Sequence, residues 1–119
     1  MSRPTLERSL PHNIDAERSV LGSILVNNEN YYRVVELLRP EDFYFDSHRL
    51  IFRQMIELME SARTIDLITI QEELMRASSL ESAGGISYLA GLLDWIIKTT
   101  MAILQSTQLL QEAIHPTIQ

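Results

Sequence analysis

The residues best equipped for chemistry are gathered in one stretch, RPEDFYFDSHRLIF, at positions 39–52. It holds adjacent carboxylates, Glu41 and Asp42, three consecutive aromatics, Phe43, Tyr44 and Phe45, and the trio Asp46, His48 and Arg49. Carboxylates beside a histidine suit general acid–base catalysis, and aromatics beside an arginine suit stacking on bases. The spacing favours a third reading, a joint between helices. Pro40 stops one helix, and the acidic pair after it is placed to meet the positive end of a short helical turn. Phe43 and one aromatic neighbour then pin the connection to the core, and Asp46 or Ser47 starts the next helix. His48 and Arg49 are expected to tie the corner together through hydrogen bonds to the acidic pair or the backbone.

Elsewhere the chemistry thins out. The histidines His12, His48 and His115 are far apart, and none belongs to a spacing that puts two metal ligands on one helix face. The chain has no cysteine, which excludes disulfides and thiolate ligands and makes the cytoplasm the default compartment. No G-x-x-x-x-G-K-[ST] loop is present to cradle nucleotide phosphates, and Gly84-Gly85 alone is too weak a signal. No serine, histidine and aspartate set has nucleophile-elbow context. The expectation is a chain that is not an enzyme by itself and binds no cofactor or metal.

The elements that must position these residues are helical. Over 15–27, Ala16, Val20 and Ile24 form one stripe with Leu21 and Leu25 beside it, capped by Asn13 or Asp15. Gly22 lies inside this pattern and weakens the helix by about 1 kcal/mol relative to Ala, so a close crossing by another helix is the expected reason for it. A second helix covers 30–38. A third follows the joint, with Ile51, Met55, Leu58, Met59 and Ala62 as its apolar stripe. Residues 67–77 form a fourth, with capping-box spacing at Thr69 and Glu72 and a competing cap at Asp66. Residues 86–97 place Ile86, Leu89, Ala90, Leu93 and Ile97 on one side, and 101–114 could be a last helix, closed by Pro116.

Six or seven helices and no strand predict an all-α fold, a single small domain whose last helices either fold back as a hairpin or project. Its expected organisation is a flexible arm over 1–12, a globular head over 13–95 and a C-terminal helical segment over 96–119. The N-terminus is too polar for a signal peptide. The tail is apolar but broken by Lys98 and several Thr, Ser and Gln, so it is expected to fall short of a membrane span. A net charge of -6, with nine scattered Arg and a single Lys, points to protein partners more than to phosphates. A helix-turn-helix over 67–95 is the alternative, but its second helix offers no Arg, Lys, Asn or Gln to read bases.

Four motifs in order, LPHNIDAERSVLGSIL, LLRPEDFYFDSHRLIF, IDLITIQEEL and LESAGGISYLAGL, resemble the N-terminal domain of the bacterial replicative DNA helicase of the DnaB family. The resemblance runs from Leu10 to about Asp94. It implies a helical head followed by a hairpin, forming the collar of a hexameric ring. It further implies pairing between subunits (dimer or hexamer), docking of primase, a helicase loader as a further partner, and contact with DNA only through the complete ring. ATP and Mg would belong to a RecA-like motor domain absent from this chain. Carried over by position, Asp15 and Tyr88 are the partner-contact candidates; each also has an ordinary reading, as an N-cap and as a half-buried aromatic. After Asp94 the tail departs from the family pattern. Its Trp95, Ile96, Ile97, Ile103 and Leu104 either drive self-association or pack on the chain's own head. The other class of reading is a stand-alone helical adaptor.

Overall fold

A computed structural model describes residues 13–114. These form five α-helices and one 3-10 turn: α1 Ile14–Val26, α2 Asn30–Leu37, the turn Pro40–Asp42, α3 Asp46–Glu60, α4 Leu67–Arg76 and α5 Gly85–Ile114. The arm expected over 1–12, together with His12, His115 and Pro116, lies outside the described residues.

Local chemistry sets most of the helix ends. Asn13 caps α1 by accepting from the Ala16 N–H at 3.1 Å, leaving Asp15 in the first turn. At α4 the box forms one turn before the Thr69/Glu72 spacing. Asp66 accepts from the Thr69 N–H at 2.8 Å, and the Thr69 hydroxyl accepts from the Asp66 N–H at 2.9 Å. α3 departs from expectation: Phe45 occupies the cap position without a side-chain bond, and Asp46 lies inside the helix. Its carboxylate there favours the positive helix end.

α3 and α4 terminate in the same way. Ala62 and Ser78 take the left-handed conformation, at φ 58° and 56°. The N–H of the next residue closes back across the last turn, Arg63 to the Leu58 carbonyl and Ser79 to the Leu74 carbonyl, each at 2.8 Å. This closure usually employs glycine. Ala62 therefore stands beyond the helix and exposed, not on the apolar stripe where periodicity had put it.

The core gathers Leu21 and Ile24 from α1, Phe43 from the joint, Ile51, Phe52, Met55 and Leu58 from α3, Ile70 and Leu74 from α4, and Leu89 and Leu92 from α5, all buried. Each such side chain contributes on the order of 1.5–3 kcal/mol by leaving water. Ala16, placed on the core stripe by its spacing, is exposed.

The two last helices expected from the sequence are one. α5 runs 30 residues without a break, so the boundary drawn between 95 and 96 falls inside it, and among the described residues the last segment projects and does not fold back as a hairpin. Lys98, Thr99 and Thr100 cost only tenths of a kcal/mol each in helix propensity, and Lys98 bridges back to Asp94 at 3.1 Å across the supposed junction. The buried face is also turned from the predicted one, with Leu89 and Leu92 inward while Ile86 and Ile97 are about half exposed. Two stripes of α5 are apolar, so periodicity could not choose between them.

The joined helix is long and apolar enough, by length and composition, to cross a membrane, which corrects the expectation that the tail falls short of a span. Its first half is packed on α1, while every side chain from Met101 to Ile114 is exposed. The radius of gyration, 17.2 Å, exceeds the roughly 13 Å of a compact unit of about 100 residues for this reason.

Candidate functional site

α1 and α5 cross at Gly22. A Cβ added there would lie 2.7 Å from the Leu92 carbonyl oxygen and 3.0 Å from the Ile96 Cβ, inside ordinary contact distance. The absent side chain lets the two backbones meet. One turn earlier on α1, Ser19 accepts a hydrogen bond from the Trp95 indole at 3.1 Å, and the Arg18 guanidinium stands 5.5 Å over the Trp95 ring. Of the five candidates for self-association, Trp95 and Ile96 are thus engaged with the chain's own head. Ile97, Ile103 and Leu104 are exposed.

His48 is the only buried polar residue among those described. Its Nδ1 lies 2.7 Å from Glu17 Oε1 and its Nε2 lies 2.5 Å from the Tyr88 hydroxyl. A carboxylate can only accept, so Nδ1 carries a proton and donates it to Glu17, while Nε2 and the Tyr88 hydroxyl share the second hydrogen bond. The other Glu17 oxygen accepts from the Tyr44 N–H at 2.7 Å. Phe43 and Phe45 approach the imidazole edge-on, and Tyr88 stacks on it. This cluster buckles α1, the joint, α3 and α5 together.

The partners of the corner differ from those expected. His48 reaches neither Glu41 nor Asp42; Asp42 instead accepts from the Arg39 N–H at 2.8 Å and closes the turn that begins at Pro40. Arg49 donates from Nε to the Phe43 carbonyl at 2.6 Å and from its terminal nitrogen to Asp46 at 2.9 Å. The cluster has the composition of an acid–base site, but its groups satisfy one another, and no buried side-chain N or O lacks a partner among the described residues. No group of three His, Asp or Glu gathers there either.

Two residues of this frame escaped the sequence reading, Glu17 and Asn28. The Asn28 side chain pairs with the Ile65 backbone in both directions, at 2.8 Å each way. A signal was available, because Glu17, Leu21 and Ile24 share one stripe of α1 and Asn28 follows at the same spacing just beyond its end, and polar residues in a buried phase need partners. Asp15 is exposed and held loosely by Arg18 at 3.4 Å. The Tyr88 hydroxyl is committed to His48. An apolar groove of about 330 Å³ opens beside α5, lined by Ser23, Val26, Asn30, Ile96, Ile97, Thr100 and Met101.

Fold and site together define a small helical head, locked by a buried polar buckle, from which one long apolar helix projects. Residues 9–112 match the family model described as the DnaB-like helicase N terminal domain. The chain is 45% identical over 82 residues to the replicative DNA helicase DnaB of Buchnera aphidicola subsp. Schizaphis graminum, covering 69% of this chain and 18% of the relative. It is 38% identical over 94 residues to that of Geobacillus stearothermophilus, covering 79% and 21%. Among solved structures, the N-terminal domain of DnaB helicase from Mycobacterium tuberculosis superposes with a TM-score of 0.71 at 34% identity, covering 72% of this chain and 61% of that one. This chain belongs to the DnaB-like helicase N-terminal domain family. It spans about a fifth of the length of these curated relatives and corresponds to their N-terminal, non-motor part.

Proposed function

We propose that this domain is the assembly and partner-docking collar of a bacterial replicative DNA helicase. Strand separation would belong to the whole family protein, with ATP and Mg used by its motor part. The domain contributes ring assembly through α5 and docks primase, and a helicase loader, through its head in the bacterial cytoplasm. The observation that carries this reading is the exposed half of α5. Ile103 and Leu110 are 59% and 60% exposed on the same line that packs Leu89 and Leu92 into the head, an apolar surface of the kind that marks an interface.

For primase, Asp15 is the accessible candidate, whereas Tyr88 would act by holding α5 against His48. A membrane has no part in this reading, because the first half of α5 is committed to α1 and the rest interleaves Gln105, Gln108, Gln111 and Glu112 among its apolar residues. Light scattering of the chain alone and with primase tests the proposal: oligomers that take up primase support it. A monomer that ignores primase yet binds duplex DNA in a salt-dependent way would instead support the helix-turn-helix reading. Ile103→Asp is the informative variant, since Trp95 is engaged within the head and its replacement would disturb the fold.

A further inference from the structure

Resting on the docking at Asp15 read above, we propose that Arg18 couples that docking to the seating of α5. A cationic side chain of the partner, on pairing with Asp15, releases Arg18 to the Trp95 ring and tightens the crossing of α1 and α5. Arg18 stands between two attractors. On one side its terminal nitrogen lies 3.4 Å from Asp15 Oδ1, longer than the roughly 2.7–2.9 Å of a full charge-assisted bond. On the other its guanidinium carbon lies 5.5 Å from the centre of the Trp95 ring, within the ~6 Å over which an aromatic face attracts a cation. The guanidinium is shared, and neither attractor holds it fully.

A second connection joins the same two residues. The Trp95 indole N–H donates to the Ser19 hydroxyl at 3.1 Å, and that hydroxyl donates to the Asp15 carbonyl at 2.9 Å. The ring is thereby held in place beside Arg18 whichever way the guanidinium leans. Exposure separates the roles. The Asp15 side chain is 60% exposed and that of Arg18 32%, so a partner meets the carboxylate first while the guanidinium lies partly covered.

The sign follows from charge. With Asp15 unpaired to a partner, its carboxylate draws Arg18 away from the ring. A lysine or arginine seated on Asp15 neutralises that carboxylate and repels Arg18, and the Trp95 face becomes the stronger attractor. Docking and seating of α5 then favour each other by the same factor, as linkage requires. Both contacts lie near the surface, so the factor is about 2- to 5-fold. Trp95 stands immediately past Asp94, where the tail leaves the family pattern, which makes the coupling a property of this chain's tail and not of the four motifs.

Trp95 is the only tryptophan in the chain, so fluorine-labelled tryptophan gives one fluorine resonance that reports its surroundings while unlabelled primase is titrated in. Asp15→Asn removes the charge that a docked cation neutralises, and it should move the resonance of the free chain. Primase should move the resonance of the unchanged chain in the same direction, and should bind the Arg18→Gln chain with the resonance unmoved. A resonance that stays in place while primase binds the unchanged chain overturns the coupling and leaves docking standing; a shift that persists in Arg18→Gln overturns the route through Arg18. Affinity tests the underlying reading separately. Asp15→Asn should weaken primase binding about 2- to 5-fold, and an unchanged affinity, or no binding by the unchanged chain, removes docking at Asp15 and the coupling with it.

Discussion

Replacing Gly22 by Ala sets two effects of known size against each other. In an isolated helix the change is favourable by about 0.8–1.0 kcal/mol, because Ala loses less backbone freedom. In the folded chain the new Cβ would lie 2.7 Å from the Leu92 carbonyl oxygen, where 3.4 Å begins ordinary contact. The shortfall, 3.4 minus 2.7, is 0.7 Å, and it falls on backbone that cannot swing aside as a side chain could. α5 must shift at the crossing, carrying Ile96 and the Trp95 contact to Ser19 with it. Overpacking of this kind costs about 1–3 kcal/mol. The net expectation is a loss of about 1 kcal/mol, or a melting temperature lower by roughly 4–8 °C for a domain this size. Circular dichroism melts of the full chain, beside a peptide of residues 13–27, make the test. The substitution should raise helicity in the peptide and lower stability in the protein. A protein stabilised by Gly22→Ala would refute the close crossing.

Other outcomes follow from the buckle and the helix ends. His48→Ala leaves Glu17 and Tyr88 without their buried partner and is expected to cost about 2–3 kcal/mol in urea unfolding; Tyr88→Phe should cost less, since it removes one of the two bonds. Ala62→Gly and Ser78→Gly relieve left-handed strain and should each stabilise by about 0.5–1 kcal/mol, read as a higher denaturation midpoint. Glu73 is held below its ordinary carboxylate value of 4.5, first by its hydrogen bond from Arg63 and then by Arg76. A lowered folded value means stability present above 4.5 and lost as pH falls through the folded value. Glu73→Gln should therefore flatten the acid limb of a stability–pH profile, and an unchanged slope would contradict that linkage.

What was legible in the sequence was whatever a single helix states by itself. The line of Ile51, Met55 and Leu58 declared α3, and a glycine within the apolar pattern of α1 declared a close neighbour without naming it. The pairs that lock the head join residues far apart in the chain, His48 to Glu17 and Tyr88, and Asn28 to Ile65. No local pattern specifies such partners. The phase and length of α5 were misread for a related reason: Lys98 and two threonines look like a boundary to composition, but a helix already docked at Leu89, Leu92 and Ile96 continues through them at little cost. The three aromatics of the joint were read more closely. Phe43 is buried and packs on Phe52 at 5.2 Å between ring centres, while Tyr44 is more than half exposed.

Because α5 is unbroken, the Gly22 crossing acts as a fulcrum. From residue 94 to residue 114 the helix extends about 30 Å at 1.5 Å per residue. A tilt of roughly 10° at the crossing would sweep its tip by about 5 Å, since displacement grows in proportion to that length. A sub-ångström adjustment between two backbones is thereby geared into a movement as large as a helical turn, and the same rod would return any load on its far end to the start of α1, where Asp15 stands exposed.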